Sequence, residues 1–166
     1  MNTQYTSKEF SRELYSRYDK LAKVIADEIM VSCFGAKLRR ENIEEGKTYR
    51  EGCWDLEYEK NGKTKLIESE IKDKKFFNVP SSCKKGLFRF KTLDIPSRKI
   101  KNKADYFFII SSGEDIAIGI LKSKLDKFSE KITKDTIYVK NESFIRVNLE
   151  FCDFFIKENN KWKKVT

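Results

Sequence analysis

The chain contains no histidine. That absence removes Ser-His and Cys-His nucleophile pairs, histidine general bases and histidine-ligated metals. Any catalysis must then rest on carboxylates, lysine, hydroxyls or an oxygen-bound cation. Cysteine is present but scattered, at Cys33, Cys53, Cys83 and Cys152, with no Cys-x-x-Cys pair. This argues against a zinc site and for reduced thiols in a cytosolic protein, whether bacterial, phage-encoded or made in an infected cell. No run of 18 apolar residues occurs, so neither a membrane span nor a membrane partner is expected. The opening MNTQYTSKEF lacks the apolar core of a signal peptide. With two prolines and seven glycines in 166 residues, no Pro/Gly linker divides the chain, and no repeat is visible. A single domain over residues 1–166 follows, long enough to bury a real core.

What is present is apolar enough to fold, at 39% hydrophobic and 13% aromatic. It is also basic, with net charge +9, and the charge is uneven. Residues 60–103 hold 14 Lys/Arg against 4 Asp/Glu, a net of +10. The remainder holds 21 basic and 22 acidic residues, a net of −1. A coding bias toward lysine would scatter the excess. A focused patch suits a polyanion such as nucleic acid.

Residues 7–31 carry the spacing of an amphipathic helix, with Phe10, Leu14, Tyr18, Leu21, Ile25 and Ile29 three or four apart. Thr6 and Glu9 fit a capping box. Asp27 falls opposite the apolar stripe and Glu28 at its edge, both readable as solvated charges. Residues 35–52 read as a loop leading into a strand. Residues 73–103 read as basic and irregular, punctuated by Pro80 and Pro96, with a weak helix near 81–85 and a short strand at 87–90. ADYFFII (104–110) and DIAIGIL (115–121) are buried-strand candidates, followed by a short helix over 122–130. TIYVK (136–140) fits a strand, and the segment from Phe144 is ambiguous between strand and helix. The mixture is α/β with a sheet of four or more strands.

The densest chemistry lies in CWDLEYEKNGKTKLIESEIKDKK, residues 53–75. Asn61-Gly62 is the signature of a two-residue type I′ hairpin turn. It would pair Lys60 with Lys63, so that paired positions sum to 123, and Asp55 would oppose Glu68. Alternation then puts Asp55, Glu57, Glu68, Glu70 and Lys72 on one face and Trp54, Leu56, Tyr58, Ile67 and Ile71 on the other. The second face packs on a core. The first gathers like charges that repel unless something neutralises them. Directly opposed Cβ atoms lie about 5 Å apart, so these carboxylates could share one hard cation such as Mg²⁺. Lys72 could then hold a water or a phosphate oxygen beside it. The plainer reading is a polar sheet face turned to water, with Lys72 paired to Glu70.

Asp55, followed after a 14-residue gap by Glu70-Ile71-Lys72, resembles the signature of the PD-(D/E)XK nuclease superfamily. So does the order of elements over roughly residues 7–110: helix, hairpin, basic segment, hydrophobic strand. DIPSRKIKNKADYFFII, with Arg98 and Lys99 before the strand, is similar to the matching part of small phage and restriction-like members. Trp54 stands where the pattern has proline, and no helix is clear after the motif strand. The resemblance implies a restriction-endonuclease-like mixed sheet flanked by helices. It implies hydrolysis of phosphodiester bonds in DNA with Mg²⁺, Mn²⁺ substituting. Asp55 and Glu70 would be metal ligands, with the Ile71 carbonyl and Glu68 supplementing them, and Lys72 would orient or activate the attacking water. Glu28 is the candidate for an additional helical acid. Lys74, Lys75, Lys84, Lys85, Arg89, Arg98 and Lys99 are the candidates for nucleic-acid contact. A homodimer is common among such enzymes, although no interface is legible here.

Two other functions fit the same residues. One is a non-catalytic nucleic-acid-binding module whose Phe76, Phe77, Phe88 and Phe90 stack on bases. The other is a viral protein-interaction factor that uses the basic window on an acidic host surface.

Overall fold

The protein is described by a computed structural model, which covers residues 12–41, 54–78, 86–100, 103–136 and 140–165. Asn61 and Gly62 both take positive φ, 52° and 73°, the conformation of a type I′ turn. They join β2 (Leu56–Lys60) to β3 (Lys63–Lys72), with Lys60 opposite Lys63 and Leu56 opposite Ile67 as the turn dictates. In chain order the elements are α1 (Arg12–Phe34), β1 (Lys37–Glu41), β2, β3, β4 (Thr92–Pro96), α2 (Ser97–Ile100), β5 (Tyr106–Ser111), β6 (Ile116–Leu121), α3 (Lys122–Phe128), β7 (Ser129–Lys134), β8 (Glu142–Asn148), β9 (Asp153–Glu158) and β10 (Lys161–Val165). The class is mixed α/β.

A seven-stranded sheet runs β1-β2-β3-β5-β6-β9-β10, and a three-stranded sheet runs β4-β8-β7. Among the described pairings only β3 with β5 is parallel. Along β5 every residue is buried, but alternation sends neighbours to different sides. Tyr106, Phe108 and Ile110 join the core beneath α1, with Ile25, Ala26 and Ile29 of the helix stripe. Phe107 and Ile109 join a second core with Leu93 and Ile95 of β4 and Ile145 and Val147 of β8. The large sheet therefore has α1 on one face and the small sheet on the other.

Local chemistry sets the boundaries. Gly35, at φ 60°, ends α1: its N–H bonds the Val31 carbonyl and the Ala36 N–H bonds that of Met30. The bond from Gly35 to Val31 is that of an αL cap, whose positive φ favours a residue without a Cβ. Thr6, Glu9, Phe10 and the Leu14 side chain lie outside the described residues, so the predicted start and capping box do too. Asp27 is not a solvated charge. It accepts a 2.6 Å hydrogen bond from the hydroxyl of Tyr58, which is fully buried.

Several expectations need correction. Residues 73–103 are not wholly irregular: β4 lies there, Leu93 and Ile95 pointing inward and Thr92, Asp94 and Pro96 only partly covered. The expected strand at 87–90 is a single bridge, Phe88 to Phe77. The helix expected over 122–130 stops at Phe128, and the chain continues directly into β7. The ambiguous segment from Phe144 resolves into strands β8 and β9 with a short 3-10 turn between them. Most of 136–140, and the weak helix at 81–85, lie outside the described residues. Neither Cys33 nor Cys152 forms a disulfide; Cys53 and Cys83 lie outside the description. Among the described residues no helix is long and apolar enough to cross a membrane.

Candidate functional site

Parallel pairing with β5 fixes where the acids of β3 point. Glu68 is in register with Phe107 and Glu70 with Ile109, so both carboxylates project on the side of the small sheet, away from α1. There they meet Lys99. Its ammonium lies 2.9 Å from Glu68 Oε1 and 3.1 Å from Glu70 Oε2, and its side chain is only 18% exposed. Lys99 is delivered by α2, which follows directly on β4 and packs on β4 and β8. Burial alone would lower the Lys99 pKa, but Glu70 and Glu68 carry it above the ordinary lysine value. Sequence reasoning assigned Lys99 to phosphate contact. The structure instead makes it the counterion of the acidic pair, because two carboxylates on one strand face leave a negative site that the nearest long cation fills.

Asp55 lies just before β2. Its N–H donates to the Ile67 carbonyl at 2.8 Å, one residue out of step with the Leu56–Ile67 pairing, so it does not oppose Glu68 squarely. Its carboxylate reaches the β3 backbone, where Oδ2 accepts from the Ser69 N–H at 2.8 Å and the Ser69 hydroxyl at 3.1 Å. Burial, and then the Glu68 charge, push the Asp55 carboxyl up to about 7, against the Ser69 N–H and Lys99, which oppose the rise. Asp19 of α1 adds to it. A carboxyl that titrates near neutrality can hold or release a proton there.

Lys72 follows on the same β3 face. Burial lowers its pKa, Glu70 opposes that, and Lys134 reinforces it. Its ammonium stands 5.0 Å from the Phe76 ring centre. Ile71 is in register with Ile110, and its side chain packs on the α1-side core. The remaining acid of the predicted face, Glu57, is taken out of the cluster. It is buried and bound by Arg40, with Arg39 at 3.5 Å.

Glu28 does not join the site. It accepts a 2.8 Å bond from the Trp162 indole N–H and lies 3.3 Å from Lys157, which ties it to β10 and β9 at the far end of the sheet. Among the nucleic-acid candidates, Lys74, Lys75 and Arg89 are exposed, and Arg98 is exposed but paired with Glu142. Lys84 and Lys85 lie outside the described residues. Phe77 and Phe88 are core residues, 5% and 6% exposed, which removes them as base-stacking surfaces.

One group was not foreseen. Asp94 of β4 accepts from Arg146 at 2.8 and 3.1 Å and from Lys134 at 2.5 Å, locking the three strands of the small sheet. Burial would raise its pKa, but these donors hold the carboxyl below the usual range. The alternation of Leu93 and Ile95 was the signal for β4, masked by Pro96.

Hard carboxylate oxygens from Asp55, Glu68 and Glu70 are the donor type a divalent cation such as Mg²⁺ takes. Among the described residues no three acidic or thiol side chains converge closely enough to hold an ion as they stand. The positive charge at the cluster is Lys99.

No protein-family model, no curated protein and no solved structure matches the chain.

Proposed function

We propose that the protein is a metal-dependent nuclease of the PD-(D/E)XK type, acting on DNA. The observation that carries this reading is the pairing of Glu68 and Glu70 on one cationic position, with Asp55 near enough to feel Glu68 and Lys99 and with Lys72 on the same strand. The donor chemistry fits Mg²⁺ or Mn²⁺, with Asp55 and Glu70 holding the ion and Glu68 and the Ile71 carbonyl assisting. Such an ion would stabilise negative charge on the phosphoryl oxygens. The protein's own groups do the rest. Lys72, whose charged form burial disfavours, would orient the attacking water and, as the neutral amine, accept its proton. Asp55, its carboxyl raised to about 7, can hold a proton near neutrality and would have to be ionised to serve as a ligand. Lys99 keeps the pair of glutamates neutralised until then.

Glu70→Gln and Lys72→Met, assayed on supercoiled and branched DNA with Mg²⁺ or Mn²⁺, test the proposal. The expected loss in cleavage rate is on the order of a hundredfold or more for each. Full activity in both variants would rule the assignment out.

The Lys99 bridge also supports a second reading, a binding module on the same fold. A lysine that already neutralises Glu68 and Glu70 satisfies the acids without any metal. That reading predicts salt-sensitive DNA binding with no cleavage by the wild-type protein under either metal.

A further inference from the structure

Next to the acidic cluster lies an aromatic surface that folding does not account for. Phe90 is 52% exposed. It is nevertheless held: its ring centre lies 5.8 Å from that of Phe76 and 5.6 Å from that of Phe88, and Phe88 rests edge-on against Phe77 at 5.2 Å. Phe77 and Phe88 belong to the core beneath the small sheet. Phe90 is thus the outer member of an aromatic column rooted in the interior, with half its surface left to water at a cost in unrealised burial.

Cations stand over the neighbouring Phe76 ring and flank Phe90 in the chain. Lys75, with a side chain 68% exposed, has its ammonium 5.2 Å from the Phe76 ring centre. Arg89 and Lys91, on either side of Phe90, are both exposed. Asp73 lies 4.0 Å from Lys75. Lys72 links this surface to the cluster, since it lies over Phe76 and feels the charge of Glu70.

We infer that Phe90 is a stacking platform for an unpaired base of single-stranded DNA, with Lys75, Arg89 and Lys91 on the flanking phosphates. An aromatic face held against Phe76 and Phe88, with lysines over Phe76 and exposed cations on both chain neighbours, fits the π-face and the backbone charge of one strand together. Bases inside a duplex already have both faces covered by their neighbours, so this surface selects unpaired nucleotides. The inference rests on the nucleic-acid reading above but not on cleavage, and it narrows the substrate to DNA with a single-stranded portion.

The test is fluorescence anisotropy with a labelled oligothymidylate of about 15 nucleotides and a duplex of equal length. EDTA is present throughout, so that binding is read without cleavage. Phe90→Ala is expected to weaken binding to the single strand roughly 5- to 150-fold, the loss of one stacked base, and to leave duplex affinity unchanged. Phe90→Trp is expected to restore it, and this variant carries the test should the alanine variant fold poorly. Equal effects on both DNAs, no effect on either, failure of tryptophan to restore binding, or no binding of the oligothymidylate by the wild-type protein would each overturn the inference. Full cleavage by the Glu70 and Lys72 variants, or none by the wild-type protein, would leave this result unaffected, so the two proposals fail separately.

Discussion

Asp55 shows how one carboxyl can be both a liability and an instrument. Its unfolded value is near 3.8 and its folded value about 7, raised first by burial and then by Glu68. Between those limits the folded state holds a proton that the unfolded state has lost. Asp55 therefore favours folding below about pH 4, and that contribution disappears as pH rises through 7. Asparagine at this position keeps an acceptor for Ser69 and carries no charge. In EDTA, Asp55→Asn is expected to match the wild-type melting temperature at the acid end of this window and exceed it increasingly up to pH 8. Thermal melts across pH check this, and a difference that stays flat with pH would contradict the placement of Asp55.

At the same scale, legibility divides by distance along the chain. Glu68, Glu70 and Lys72 were readable because a two-residue turn sets the register of everything next to it. The slip at Asp55 was not readable, since it depends on how the chain enters β2. The role of Lys99 was not readable either. It is decided by how α2 packs on β4 and β8, and a lysine in a basic segment carries no local mark of a buried partner.

Among the elements, those with strong burial were the easiest to anticipate. β5 and β6 are almost wholly apolar, and α1 repeats its stripe at helical spacing. β7 was missed because SEKITK buries none of its residues. The β9–β10 hairpin did carry a signal, since Asn159 and Asn160 both take positive φ as a type I′ turn requires. In the middle of β6, Gly119 has a different reason to be glycine. A methyl group there would overlap the Tyr106 ring, whose hydroxyl donates to Asp153 at 2.8 Å. Gly119→Ala is expected to cost about 1–3 kcal/mol through overpacking, read as a melting temperature several degrees lower. An unchanged melting temperature would mean that the ring can shift without losing its bond to Asp153.

Over the whole molecule, the acidic cluster occupies a particular place. It sits on the one parallel junction described, between β3 and β5, on the face that the small sheet and α2 only partly cover. α1 closes the other face with an apolar stripe, and the charges there, Asp27 and Glu28, are tied to Tyr58 and Trp162 of the sheet. Glu68 and Glu70 lie within the stretch of net charge +10, with Asp55 just before it, so a polyanion drawn to that stretch would meet acids beside the lysines. Repulsion between phosphate and carboxylate must then be relieved by a cation, and Lys99 or a divalent ion can supply it. The most direct measurement is anomalous scattering from a crystal soaked in Mn²⁺. The account predicts a peak bounded by Asp55 and Glu70, with the Lys99 ammonium displaced from both glutamates. A crystal that shows no peak there, and Lys99 still bridging Glu68 and Glu70, would contradict it.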